Sequence, residues 1–267
     1  CTGATQKALN ETQLRKFKIP KPPLETQKKI AALLEKAEKL KELRVDADKL
    51  TDELLKSVFY EMFGDPVRNE KKWEMVELGK ITNSRLGKML DAKKQSGKNK
   101  QKYLRNTNVQ WNRFDLTELL EMDFNADEQV ELKLKKGDLL VCEGGEVGRC
   151  AIWNNDLPDC YFQKAIHRVR CQTDKILPEY VLRVFWMYSD YNGFRNIVHS
   201  STITHFTGVM LKKILIPLPP ILHQKKFVEI FRMTEEIKDK QIRSKQSIDN
   251  LFNVLMQKAF RGELLCD

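Results

Sequence analysis

No apolar run in this 267-residue chain approaches the roughly 20 residues that cross a bilayer, and no secretory leader pattern opens it. A cytoplasmic protein with no membrane association is the expectation. Histidine is scarce, with four residues scattered at 167, 199, 205 and 223, and they form no HExxH or i, i+4 pair. The six cysteines (Cys1, Cys142, Cys150, Cys160, Cys171 and Cys266) include no C-x-x-C pair. Zinc wants tighter ligand spacing, so reduced and mostly packed thiols are expected. Glu143-Gly144-Gly145-Glu146-Val147-Gly148-Arg149 is glycine-rich but lacks the Lys-Ser/Thr that completes a phosphate loop, and its glutamates would repel phosphate. A tight strand turn accounts for those glycines better. Neither Pro-Pro pair is followed by the aromatic of an amino-methyltransferase motif, and Pro158-Asp159 lacks a convincing acid-x-Lys partner downstream. The sequence therefore points to no catalytic site, no metal and no cofactor, S-adenosylmethionine included.

What the chain does have is a long-range repeat. Ile19-Pro20-Lys21-Pro22-Pro23-Leu24-Glu25-Thr26-Gln27-Lys28-Lys29 returns as Ile216-Pro217-Leu218-Pro219-Pro220-Ile221-Leu222-His223-Gln224-Lys225-Lys226, 197 positions later. Leu14 answers Leu211, Lys16 answers Lys213, Leu54 answers Leu251 and Phe63 answers Phe260 at that same offset. The period is far beyond the roughly 20–50 residues of a solenoid unit. Two copies of a linker-plus-helix module bracket one unrelated insert.

Both copies carry a heptad seam, which predicts two long helices in a coiled coil. The second offers Phe227, Ile230, Thr234, Ile237, Gln241, Ser244, Ile248, Leu251 and Leu255. The first offers Ile30, Leu33, Ala37, Leu40, Arg44, Ala47, Thr51, Leu54 and Val58. Prolines suit a helix start, where the missing N–H would have had no partner. Arg44 and Gln241 are equivalent polar seam positions, with Thr51 and Ser244 nearby; they either fix register or mark a locally exposed middle. A rod of about forty residues would span roughly 60 Å, longer than a DNA turn of about 34 Å.

The net charge of +10 is uneven. Lys80, Arg85, Lys88, Lys93, Lys94, Lys98, Lys100, Lys102 and Arg105 fall within 26 positions against the single acid Asp91. The Gln, Ser, Asn and Gly spacers between them read as a mobile loop. Clustered cations on a loop attract phosphates and release counterions, although a solvated loop without a ligand would look alike. Phosphate contact is expected from this run. Asn106, Asn108, Thr202 and His205 are the candidates for base or groove contact, because Asn can pair bidentately with adenine whereas Lys is a flexible point charge.

The insert reads as a mixed α/β domain. Strand-like runs fall at 73–78, 103–109, 138–142, 149–153 and 161–171, and Pro178 opens a helix with Val181, Leu182, Phe185, Trp186 and Tyr188 on its apolar side. The expected fold is a curved, strand-rich sheet with helices, flanked by two long helices in an antiparallel coiled coil. The expected partition is 1–23 as the tail of a preceding domain plus proline linker, 24–63 as the first long helix, 64–220 as the central domain, 221–262 as the second long helix, and 263–267 as the tail.

The duplicated Ile-Pro-x-Pro-Pro helix starts resemble the conserved regions of specificity subunits of type I restriction–modification systems. WEMVEL (73–78), YLRNTNV (103–109), KGDLL (136–140), GEVGR (145–149) and the approach at 200–204 resemble a target-recognition domain of that family. The resemblance implies a non-catalytic subunit that reads one half of a split double-stranded DNA target, with the helices setting the distance between halves. It implies methyltransferase (modification) subunits as partners, and a restriction subunit through them. Only one complete recognition domain is present, and residues 1–18 match the run-in at 199–215, as the tail of another domain would. With Cys1 in place of Met, this points to part of a longer subunit or to a shortened form that self-associates. The competing reading is a coiled-coil adaptor whose central domain binds protein; an enzyme with an unrecognised site is weaker still.

Overall fold

The computed structural model describes residues 11–19, 21–91, 95–191, 193–196 and 206–264. They form two compact units: residues 54–233, and the residues before 54 together with those after 233.

The second of these units is built from a short helix α1 (Glu11–Leu14) and most of two long helices, α2 (Leu24–Phe63) and α7 (Ile221–Arg261). The repeated motif earns its place at the helix starts. Gln27 Nε2 donates back to the Pro22 carbonyl at 2.7 Å, and Gln224 Nε2 donates to the Pro219 carbonyl at 2.9 Å. Equivalent residues thus cap equivalent proline turns. Lys41 meets Asp249 at 3.0 Å and Lys238 meets Asp52 at 2.7 Å, so positions fall along one helix as they rise along the other. The helices are antiparallel. These two contacts are one contact made twice, because Lys41 and Lys238, like Asp52 and Asp249, stand 197 apart. A pair of like elements related by a two-fold repeats its contacts in this way.

The seam departs from the expected register. Leu40 and Leu54 are 46% and 53% exposed, and their equivalents Ile237 and Leu251 are 45% and 48% exposed. In α2 the positions turned inward step through Ala37, Lys41, Arg44, Asp48 and Thr51. That stripe keeps a 3-4 spacing and shares Ala37, Arg44 and Thr51 with the expected one, but it turns Lys41 inward in place of Leu40. The polar seam residues are paired instead. Gln241 Nε2 donates to Thr51 Oγ1 at 2.7 Å, and that hydroxyl donates to the Ala47 carbonyl at 2.8 Å.

The larger unit begins with the last turns of α2. Leu55, Phe59 and Phe63 recur every four residues and are buried. The Phe59 ring lies 5.0 Å from Phe63, 5.7 Å from Tyr180 and 5.4 Å from Phe227. These helix ends, which the sequence assigned to the rods, are core. Gly64 at φ +77° stops α2, donating its N–H to the Tyr60 carbonyl at 2.8 Å.

Chain order then runs β1 (Met75–Glu77), α3 (Leu78–Ile81), β2 (Thr82–Leu86), β3 (Lys100–Leu104), β4 (Val109–Gln110), β5 (Arg113–Phe114), β6 (Leu120–Asp123) and α4 (Ala126–Leu132). It continues through β7 (Leu139–Cys142), β8 (Cys150–Ile152), β9 (Tyr161–Phe162), β10 (Ile166–Cys171), α5 (Pro178–Asp190), α6 (Gly208–Lys213) and β11 (Leu215–Pro217). Strands β2-β10-β7-β8 make an antiparallel sheet that divides two hydrophobic cores. Leu139, Val141, Cys150 and Val169 face the core with Phe59, Tyr180 and Phe227, while Leu140, Cys142, Ala151 and Ile166 face the core with Tyr103, Phe124 and Trp153. Burial on both faces explains why 139–142 is unbroken Leu-Leu-Val-Cys rather than alternating. A second sheet, β6-β3-β9, pairs β3 with β9 in parallel, and β1 with β11 joins the two ends of the unit.

Two expected strands are shorter than their apolar runs. The run at 103–109 leaves the sheet after Leu104 for a 3-10 turn over Asn106–Asn108, and 161–171 is split into β9 and β10 by a turn. The KGDLL stretch holds that sheet together: buried Asp138 accepts from Arg170 Nε at 2.6 Å and Nη2 at 3.0 Å, and from the Lys135 N–H at 2.8 Å. Helix α4, absent from the sequence reading, opens with a reciprocal cap in which Asn125 and Glu128 each accept the other's backbone N–H at 2.8 Å.

Candidate nucleic-acid interface

The lysine-rich run is not one mobile loop. Its ends are strands β2 and β3, and Lys88 forms a parallel bridge with Gln163. Between them, residues 96–99 fold around the buried Asp123 carboxylate. That group accepts from the Ser96 hydroxyl at 2.9 Å, the Gly97 N–H at 2.7 Å, the Asn99 N–H at 3.1 Å and the Ser96 N–H. Burial pushes the Asp123 carboxyl upward, but these donors outweigh it and hold the group below its ordinary value. An ionised Asp123 therefore fixes the strand entry that presents Lys98 and Lys100.

Charge in the run sorts into two classes. Lys80 pairs with Glu77 at 3.5 Å, Arg85 with Glu131 at 3.0 Å and Arg105 with Glu118 at 2.7 Å. Lys88 is tied to Glu128, donates to the Asp123 carbonyl at 2.7 Å and lies over the Phe124 ring. These four cations are largely answered by acids brought in from elsewhere. Lys98, Lys100 and Lys102 are exposed and have no ion-pair partner among the described residues. Lys100 and Lys102 sit two apart on β3 and so project from one face. Lys93 and Lys94 lie outside the described residues. A cleft of about 530 Å³ opens beside the run, lined in part by Arg85, Lys88, Asp91, Asp123, Glu128 and Glu131, and that acid-rich wall does not suit a phosphate.

The asparagines part company. Asn108 is buried; its Oδ1 accepts from the Arg105 N–H at 2.8 Å, and its Nδ2 donates to the Asp115 and Glu118 carbonyls at 2.8 and 3.0 Å. It has no capacity left for a base and holds a turn instead, so it is withdrawn as a reader. Asn106 donates through Nδ2 to the Gly144 carbonyl at 3.0 Å, and its buried Oδ1 has no partner among the described residues. Thr202 and His205 lie outside the described residues.

The glycine-rich stretch is a turn after β7, with Gly145 at φ +85° and Gly148 at φ +80°. Arg149 folds back to donate through Nη2 to the Asn106 carbonyl at 3.1 Å, so this turn braces the Asn106–Asn108 segment. Burial pushes the neighbouring Cys142 thiol above its ordinary value, ahead of the opposing pull of Arg149. It also raises Cys160 and Cys171 to about 12, which makes them packing groups rather than nucleophiles.

Residues 1–47 and 70–248 match the family model of the type I restriction modification DNA specificity domain. The chain belongs to that family. It is 27% identical over 157 residues to the specificity subunit of the type I restriction enzyme EcoBI of Escherichia coli, covering 56% of this chain and 32% of that protein. Among solved structures it is similar to the HsdS subunit from Thermoanaerobacter tengcongensis (TM-score 0.57, 21% identity), covering 99% of this chain and 65% of that one. A chain from a structure of complex assembly and conformational transition in the type I R-M system gives a TM-score of 0.68 at 21% identity, with 98% and 66% covered. The S subunit of the type I system from M. genitalium gives 0.55 at 13%, with 89% and 61% covered. This specificity domain thus spans about a third of the curated relative and about two-thirds of the solved chains. The acids that answer the cations, Glu118, Glu128 and Glu131, were missed by sequence reading. Only the Asn125-to-Glu128 cap spacing could have flagged α4.

Proposed function

We propose that this chain is a non-catalytic DNA-recognition part of a type I specificity subunit, whose 64–220 region reads one half of a bipartite double-stranded target. Long helices at 24–63 and 221–262 would space that region from a second one and dock methyltransferase subunits, with a restriction subunit recruited through them in the cytoplasm. Self-association through the helices would supply the second half-site if the chain acts alone. The observation that carries this reading is the family match across most of the chain, and the unpaired Lys98, Lys100 and Lys102 give it a physical contact with phosphate. Thr202 and His205 stay in the proposal as groove candidates, and Lys93 and Lys94 as phosphate contacts. Arg85, Lys88, Arg105 and Asn106 would serve the contact by shaping the surface.

Gel-shift titration of duplexes tests it. The triple variant Lys98→Gln, Lys100→Gln, Lys102→Gln is expected to weaken binding to every duplex alike, and to lower the salt slope by about 0.9 for each phosphate that it no longer neutralises. A comparison of host methylomes with and without the gene would reveal the target. Unchanged affinity and salt slope in the triple variant, together with an unchanged methylome, would leave the adaptor reading in its place.

A further inference from the structure

The turn between β9 and β10 is held more firmly than its sequence requires. The Ile166 N–H donates to the Gln163 carbonyl at 3.2 Å and closes the turn. The Gln163 N–H donates to the Leu104 carbonyl at 3.1 Å on one side. On the other, the Lys88 backbone N–H donates to the Phe162 carbonyl at 3.1 Å, the Lys164 N–H to the Lys88 carbonyl at 2.7 Å and the Gly87 N–H to the Ile166 carbonyl at 3.1 Å. Glu143 adds a sixth bond, to the Ala165 carbonyl at 2.8 Å. Segments 86–88 and 162–164 lie so close that a Cβ on Gly87 would stand 2.4 Å from the Gln163 oxygen. Gly87 is needed for that approach.

Inside this frame Ala165 has φ +108°, at the third turn position where glycine fits and an alanine is strained. Strained backbone persists where the surroundings over-determine it, and it gathers at functional sites. The side chains presented there are underused. Gln163 is half-buried and its amide has no hydrogen-bond partner among the described residues, while Lys164 is exposed and has no ion-pair partner among them. Asn106, whose amide bonds the Gly144 carbonyl one residue on from Glu143, also has a buried Oδ1 without a partner among the described residues. A rigidly mounted amide with a free donor and acceptor is what bidentate reading of a base edge needs, and Gln suits adenine.

We propose that Gln163 is a specificity-determining residue of the DNA interface, its amide reading an adenine in the major groove, with Lys164 on the adjacent phosphate. The inference rests on the DNA-reading function proposed above. The test selects duplexes from a random-sequence library with the full chain and with Gln163→Ala, Gln163→Glu and Lys164→Gln, each checked by thermal melting. The wild-type chain is expected to enrich a consensus. Gln163→Ala should flatten one adenine position of it by about tenfold and leave the salt slope unchanged. Gln163→Glu should move that position towards cytosine, whose amino group a carboxylate accepts. Lys164→Gln should weaken all duplexes equally. If Gln163→Ala does not fold, Gln163→Glu, which keeps the shape, decides alone. Gln163 variants that keep the wild-type preference at every position would overturn this assignment and leave DNA reading intact. A wild-type chain that enriches no sequence would sink both.

Discussion

The paired helices and the central domain are stabilised by different means. In the helix pair, cross-helix contact is polar and recurrent: Lys41 with Asp249, Lys238 with Asp52, and Gln241 with Thr51. Exposed ion pairs of this kind contribute about 0–1 kcal/mol each, so they set register more than stability. The domain buries whole aromatic rings on one side of its sheet and a second core on the other. Length in the helices comes from repetition, whereas rigidity in the domain comes from packing. Under the proposed function that contrast has a physical reason, since a reading surface must hold its side chains within a fraction of an ångström and a spacer need only keep its length.

Single substitutions can break this contrast. Phe59→Ala, which empties a fully buried site among Phe63, Tyr180 and Phe227, should cost about 3–5 kcal/mol, read from chemical denaturation of the full chain. Asp138→Ala leaves Arg170 without its buried carboxylate and should cost about 3 kcal/mol by the same measurement. In the helix pair, Thr51→Val removes the hydroxyl that accepts from buried Gln241 and should cost about 1–2 kcal/mol, with helicity by circular dichroism retained at low temperature. A variant as damaging as Phe59→Ala there would erase the distinction between the units.

A pH titration sharpens the comparison. Burial, against the opposing pull of Glu143 and the Phe206 carbonyl, pushes His167 below its ordinary value, so the folded domain resists a proton that the unfolded chain takes up. Its contribution is complete above about pH 6.5 and is lost as the pH falls from there through the folded-state value. The wild-type melting temperature should therefore drop between pH 7.5 and 5.5 by more than that of His167→Gln. The smallest effect is expected from Leu40→Asp or Ile237→Asp. Both positions are close to half exposed, so each change should stay within about 0.5 kcal/mol. The heptad pattern alone would have had these substitutions unfold the rod.

Much of the architecture was legible in advance. The fixed offset predicted two like helices, and their antiparallel pairing followed. Pro178 opened α5 as the sequence indicated. The interface was less legible. Of the nine clustered cations, Lys80, Arg85, Lys88 and Arg105 have their charge answered by acids, of which Glu118, Glu128 and Glu131 lie well downstream, and no local window shows such a pairing. Asn108 looked like a base reader, yet its amide is consumed by carbonyls seven and ten residues away.

The sequence by itself determined the duplicated frame, the class of fold and the excess of positive charge, because repeats, periodicity and composition are properties of the chain read in order. Tertiary structure alone decided which helix face turns inward, since two stripes of the same 3-4 spacing share Ala37, Arg44 and Thr51 and only packing chooses between them. It also decided which lysines stay unpaired and which amides stay free, because charge neutralisation and hydrogen bonding are settled by neighbours in space. Lys98, Lys100, Lys102 and Gln163 differ from Lys88 and Asn108 in what folding brought beside them.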